Sequence, residues 1–300
     1  MAVGAGDAAL PPAPGVSGRA WFGFGRDAQH SALGAIATQD LNRIAWSTSV
    51  DLAPQYSAGG ALLIHYGSPV VTSNNTVVVP VKRGATGGTA RARVSDDSTA
   101  SPTVGPDGKV YFGVLENILG SHNARGWLLQ FNALLAPLGP PGGFGWDDTA
   151  SIVPASMVIT YNGGSDYLLM VKYNNYLGVG SGDGVNRIAV IDPNASQTDA
   201  ISGLPVMREV LSIAGTTLET GSTTAVKEWC INSAAVDRAT KSILANSEDG
   251  YLYRWSLSSN TFTQRIELTS GIAEAYTPTV VGADGAVYAV NNAVLFSIAR

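Results

Sequence analysis

Cysteine is nearly absent from this chain. Cys230 is the single one in 300 residues, so no intrachain disulfide can form. That suits a reducing compartment, or an exported protein that does without disulfides. Between Trp229 and Ile231, at the start of an expected strand, Cys230 reads as a buried, inert thiol. Histidine is scarce too: His30, His65 and His122 are scattered, which leaves no His/Cys cluster of the zinc or copper kind. Charge is sparse at 14%, and the net charge of −5 with a pI near 5.1 excludes the broad basic face a nucleic-acid partner needs. The most basic run, Lys82, Arg83, Arg91 and Arg93, is followed by Asp96 and Asp97 and reads as a solvated hairpin. No run reaches the roughly 18 apolar residues of a membrane-spanning helix. The first twenty residues, MAVGAGDAALPPAPGVSGRA, have no basic start and no continuous apolar stretch. They read as a flexible leader at 1–20. The expectation is a soluble protein, cytoplasmic as written, or exported and already processed.

What is abundant is glycine, 35 residues, and a 45% hydrophobic fraction, which together suggest many tight turns around a buried core. One phrase organises the chain. Ser101–Val114, SPTVGPDGKVYFGV, reads as strand Ser101–Val104, turn Pro106-Asp107-Gly108 and strand Lys109–Val114. It returns as TPTVVGADGAVYAV at Thr277–Val290 and more weakly as SPVVTSNNTVVVPV at Ser68–Val81. More degenerate copies begin at Ser151 and Ser233. Third strands follow at Gly126–Asn132, Asn186–Asp192, Tyr251–Leu257 and Val294–Ile298, and fourth strands at Arg208–Ile213 and Phe262–Leu268. In the short first copy a third strand fits around Thr89–Ser95, with little room for a fourth.

Four-stranded units at a period of roughly 45 residues predict an all-β fold, a β-propeller of about five blades. The last copy ends one strand short, and Arg43–Val50 is a strand without a hairpin partner. The two match if the N-terminal strand completes the last blade and closes the ring, which removes exposed sheet edges. One domain then spans 21–300.

The hairpins of the form (S/T)-P-x-V-G-x-D-G-x-V-Y, each followed by a strand such as GWLLQFN or YLYRWSL, resemble the repeats of pyrroloquinoline-quinone-type propellers, the quinoprotein alcohol dehydrogenase-like group. The segment WFGFGRDAQHSALG, followed by IAWS, is similar to the entry segment of that group. The resemblance implies a propeller fold. The group's activity needs a vicinal cysteine pair over the quinone; with one cysteine, no PQQ is expected here.

In such a ring, the loop entering each first strand and the loop leaving each second strand open on one face. These loops carry His65, Asp147-Asp148, Glu228 and Glu274 on entry, and Glu116, Lys172-Tyr173-Asn174 and Asn246-Ser247-Glu248 on exit. Oxygen donors from several directions suit a hard cation, so Ca²⁺ is expected, with Glu116, Asp148, Asn174, Glu228, Asn246 and Glu274 as ligands. Such an ion polarises a carbonyl oxygen and acidifies bound water. His65 or Asp147 would handle the proton, and Tyr276, Tyr173 and Trp146 would line the pocket. The reading is a hydrolase of a small ester, a lactone among the candidates. In architecture alone this is similar to propeller enzymes that open lactones with a channel-bound calcium. Two alternatives stay open: a non-catalytic ligand- or protein-binding propeller, and a quinone-dependent dehydrogenase. No G-x-S-x-G is present to support a serine triad. GVGSGDG at Gly178–Gly184 lacks the lysine of a phosphate loop, and Glu248-Asp249-Gly250 reads as a turn.

Overall fold

The computed structural model describes residues 70–71, 77–78, 92–93, 100–116, 122–231, 233–269, 279–281, 287–291 and 294–298. The leader, the expected closing strand Arg43–Val50, His65, Glu274 and Tyr276 lie outside the described residues. What is described is all-β. A single 3-10 turn, Ala155–Met157, interrupts the strands, and no helix among the described residues is long and apolar enough to cross a membrane.

The strands form antiparallel sheets that follow the chain. β1 (Val70–Val71) pairs with β2 (Val77–Val78). The next sheet holds β3 (Ala92–Arg93), β4 (Thr103–Val104), β5 (Val110–Glu116) and β6 (Trp127–Phe131). Then comes a four-stranded meander of β7 (Ser151–Pro154), β8 (Tyr167–Lys172), β9 (Arg187–Thr198) and β10 (Pro205–Ala214). A second such meander holds β11 (Ala235–Asp237), β12 (Ser242–Asn246), β13 (Tyr251–Ser256) and β14 (Thr261–Glu267). The last sheet is β15 (Val280–Val281), β16 (Val287–Asn291) and β17 (Val294–Ile298). The expected hairpins, third strands and fourth strands of the two meanders are all present.

Two expectations need correction. The strand expected to extend the first hairpin is β3, but it pairs with β5, through Ala92–Glu116 and Arg93–Leu115. The cause is local: β4 is two residues long and covers only the Val110–Tyr111 end of β5, which leaves the other end of that edge open. β9 also runs past the expected Asp192 to Thr198. Pro193 and Asn194 look like breakers, but a register shift opposite Met207–Arg208 absorbs them as a bulge.

The turn of the organising phrase forms as expected. Gly108 sits at φ +81°, a region closed to most side chains, and its N–H donates to Gly105 O at 2.9 Å. Outside β6 no regular fourth strand is made. Pro137–Gly142 lies there instead, with the Leu128 N–H and the Gly142 N–H each donating to the other's carbonyl, at 3.1 and 2.8 Å. Prolines lack the N–H a full ladder would use, so the edge is only partly paired.

Successive sheets pack face to face. Every residue of β8 is buried, and its alternation feeds two cores. Leu168 and Met170 join Ile188, Val190, Ile243, Tyr253 and Trp255 on one side. Leu169 and Val171 join Tyr111, Leu128, Phe144 and Ile191 on the other. β12 repeats the pattern, with Ile243 and Ala245 on the first core and Leu244 against Val287 and Ala289. Sheets buried on both faces read as continuous apolar runs, as YLLMV and SILA do.

Hydroxyls tie the first strands together in chain order. The Thr103 Oγ1 hydroxyl donates to Ala150 O at 2.9 Å, and the Ser101 N–H donates to Thr149 Oγ1 at 2.9 Å. The Ser151 Oγ hydroxyl donates to Ala234 O at 2.7 Å, and the Thr279 N–H to Ser233 O at 3.2 Å. Among the described residues, the repeat heads Ser101, Ser151 and Ser233 are therefore inter-sheet connectors. A second tie is ionic. Buried Asp199, at the tip of the β9–β10 hairpin, accepts from His122 Nε2 at 2.8 Å and from the Ser202 hydroxyl at 2.7 Å, with Arg125 at 3.5 Å. Burial alone would raise the Asp199 carboxyl, but the bonds from His122 and Ser202 outweigh it and hold the group well below the usual carboxylate range.

Thr103→Val and Ser151→Ala are each expected to lower stability by about 1 kcal/mol, since each strands a carbonyl at a sheet junction; urea unfolding measures this. A depressed carboxylate contributes stability that is complete above its unfolded pKa and is lost as pH falls toward its folded one. Asp199→Asn is therefore expected to be less stable at neutral pH by about 3 kcal/mol. Its denaturation midpoint should also vary less than the parent's as pH falls below ~4.

Candidate functional site

The site is built on the ends of β8 and β12 and on the loops that precede β7 and β11. The first of those loops is Phe144-Gly145-Trp146-Asp147-Asp148, and backbone contact places it. The Gly145 and Trp146 N–H groups donate to Arg125 O at 2.9 and 3.1 Å. The loop also lies directly on β5 at Gly113, where a Cβ would fall 2.2 Å from Gly145 O and 2.6 Å from Asp148 O. No side chain fits there. Asp147 takes φ +52°, an uncommon conformation for a residue with a Cβ.

Asp148 is 2% exposed. Its Oδ1 accepts the Lys172 N–H at 3.2 Å, and its Oδ2 is buried without a hydrogen-bond partner. Burial raises the Asp148 carboxyl to about 7; the Lys172 charge and N–H oppose that rise, and the Asp147 charge adds to it. Lys172, the last residue of β8, is itself buried, with its Nζ 4.0 Å from Asp147 Oδ2 and 5.9 Å from the Phe144 ring centre. Trp146 meets Tyr176 edge to face at 5.6 Å.

Asn174 joins this half to the next sheet. Its Nδ2 donates to Trp229 O at 3.2 Å, and its Oδ1 accepts the Trp229 N–H at 3.1 Å. One amide thus mimics a strand partner for the backbone between Glu228 and Cys230. The Glu228 N–H in turn donates to Glu248 Oε1 at 3.2 Å. Glu228, Cys230 and Glu248 gather here, with one donor atom from each lying within 4.8 Å of the others. The Cys230 thiol hydrogen-bonds to Glu228 and Glu248. Burial and then the Glu228 charge raise Glu248 to about 7. The same two causes push the thiol far above its ordinary range, while the Lys172 charge pulls it back. Tyr176 is raised as well, by burial and then by Glu228. Lys172 thus lies within electrostatic reach of both Asp148 and Cys230.

Of the residues expected at the site, Asp147, Asp148, Asn174, Glu228 and Trp146 come to this region. Asn174, expected as a ligand, has both ends of its amide engaged by Trp229. Asn246 ends β12, fully buried, and pairs with Leu252. Glu116 ends β5 opposite Ala92. Tyr173 does not line an opening: it lies in the core beside Phe144, with the Arg125 guanidinium 4.2 Å above its ring. The alternation of β8 continues through Tyr173 and turns it inward. Sequence reasoning did not single out Lys172, Tyr176, Cys230 or Glu248 as site residues. Cys230 reads as inert and Glu248 as part of a turn, and both descriptions are locally correct: the thiol is buried, and residues 248–250 do turn. The available signal is the pair Glu228-x-Cys230 entering one strand of a repeat, with an acid leaving the next strand.

No protein-family model matches the chain, and no curated protein matches it. Among solved structures, a europium-containing methanol dehydrogenase aligns over 76% of this chain, at 14% identity and a TM-score of 0.26. The chain spans 32% of that protein's length, and a likeness this weak carries no argument about activity.

Gly113→Ala is expected to cost about 3 kcal/mol, because the added methyl must displace the loop that carries Asp147 and Asp148. Gly164→Ala, where a Cβ meets nothing within 4 Å, is the matched control and should unfold within about 0.5 kcal/mol of the parent. Denaturant midpoints separate the two.

Proposed function

We propose that this chain is a β-propeller of about five blades that binds a divalent cation on the face where its first strands begin, and that the bound ion serves the hydrolysis of a small ester. The propeller reading is supported by the meanders that follow one another along the chain and by the hydrogen bonds that link their first strands in the same order. The cation reading rests on one observation: donor atoms of Glu228, Cys230 and Glu248, from two loops of one sheet, lie within 4.8 Å of one another. Like charges held this close are stabilised by a cation, and burial strengthens the demand.

The neighbouring groups suit hydrolysis. Three protein ligands leave a position open for water, and a bound cation acidifies that water and polarises a carbonyl. Asp148, raised to about 7, exchanges a proton near neutral pH, as a general acid or base must. Lys172 supplies positive charge beside the oxyanion that forms when water attacks an ester. Trp146 and Tyr176 offer half-buried aromatic surface at the edge of the region.

Metal analysis of the purified protein, paired with a panel of lactones and simple esters, tests this. The expected result is close to one equivalent of divalent cation, turnover that a chelator abolishes and the ion restores, and a loss of at least about a hundredfold in Asp148→Asn. Turnover that is indifferent to chelator sinks the metal-assisted reading. Bound ion without turnover of any ester sinks the hydrolase reading.

A further inference from the structure

We infer that the ion held at Glu228, Cys230 and Glu248 is a thiophilic, zinc-class cation bound through the Cys230 thiolate. This rests on the proposed cation site and names the kind of ion. Calcium is the expectation for an oxygen-only set, but the residues that converge include a sulfur. Thiolate ligands select zinc-class ions, and hard cations leave them for oxygen. One sulfur and two carboxylates give the three-ligand form of a zinc site, with a fourth position open.

Charge and burial fit this ion. A thiolate and two carboxylates carry three negative charges, which a divalent ion offsets together with the nearby Lys172 and Lys227 charges. Glu228 and Glu248 are half-buried while Cys230 is 7% exposed, so the sulfur lies deeper than the two carboxylates. A separate feature points to a ligand in the same region. Asp148 is 2% exposed, and its Oδ2 has no hydrogen-bond partner. It flanks the same lysine that acts on Cys230. On binding, a metal–sulfur bond replaces the S–H bond, and the thiol proton leaves to solvent. The thiol's contact with the carboxylates is then replaced by bonds from all three residues to one ion.

The single cysteine makes the test specific, since any sulfur-to-metal charge-transfer band can come only from Cys230. Chelator-treated full-length protein is titrated with Co²⁺, and separately with Cd²⁺, and followed in the near ultraviolet. The expected result is a saturable band at one equivalent that Cys230→Ser abolishes. Glu228→Gln and Glu248→Gln, which keep the buried thiol, should weaken Co²⁺ affinity by at least about tenfold each. The inference is overturned if the parent shows no band, or if the band keeps its affinity in the double Gln variant, which would mark an adventitious thiol contact. Chelator-sensitive hydrolysis without a band refutes thiolate ligation and leaves the catalytic reading standing. A band without hydrolysis does the reverse.

Discussion

The row of hydroxyls at the heads of the first strands is the constraint on which the rest depends. Thr103, Thr149 and Ser151 each spend a polar group across a sheet junction. A first strand so placed has little freedom to slide, because a one-residue slip would reverse its whole side-chain pattern. The second strands inherit that position through their ladders, and both faces of β8 and β12 then meet apolar neighbours. The residues just before and just after these strands are consequently brought together, and contacts such as Asn174 with Trp229 and the Glu228 N–H with Glu248 complete the arrangement. Ionisable groups tolerate crowding there because the strands that carry them are fixed elsewhere.

The region is electrostatically expensive as it stands. Four carboxyl groups, Asp147, Asp148, Glu228 and Glu248, crowd a partly buried region that the Lys172 and Lys227 charges partly offset, and two of them are raised to about 7. A fold under selection for stability alone would replace such groups with apolar ones, often at no loss. Asn174 adds to the point. An amide that pairs with the backbone of Trp229 holds the chain between Glu228 and Cys230 in a fixed extended course. The strained Asp147 and the glycine contact at Gly113 do the same for the opposite wall. Preorganisation of this kind costs stability and is recovered where a ligand uses it.

The sequence shows the strands far more clearly than the site. SPTVGPDGKVYFGV, YLLMV and YLYRWS carry their structure in local alternation and turn chemistry, and they fold as that alternation predicts. Where the fold departed from expectation, a non-local pairing decided it. β3 took an edge left open by a short β4, and a register shift across from β9 absorbed Pro193. That Asp147, Asp148, Asn174 and Glu228 sit on entry and exit loops was legible as well, because those loops follow from counting strands. Individual roles were not. Tyr173 and Asn174 are adjacent in sequence, yet one turns into the core and the other bridges to Trp229. Period two decides this, and a reading by loop membership overlooks it.

Cys230 shows the limit most sharply. Taken alone, a lone cysteine between Trp229 and Ile231 is a small hydrophobe, and its burial agrees. What changes its chemistry is the pair of carboxylates that two loops bring to its sulfur. A thiol with only apolar neighbours has nothing to gain from losing its proton. A thiol beside Glu228 and Glu248 has around it the carboxylates that the proposed ion would share. The same crowding that keeps the proton on sulfur would favour the proposed ion in its place. The reactivity of this residue is therefore a property of the sheet junctions, which set the distance between its neighbours, before it is a property of cysteine.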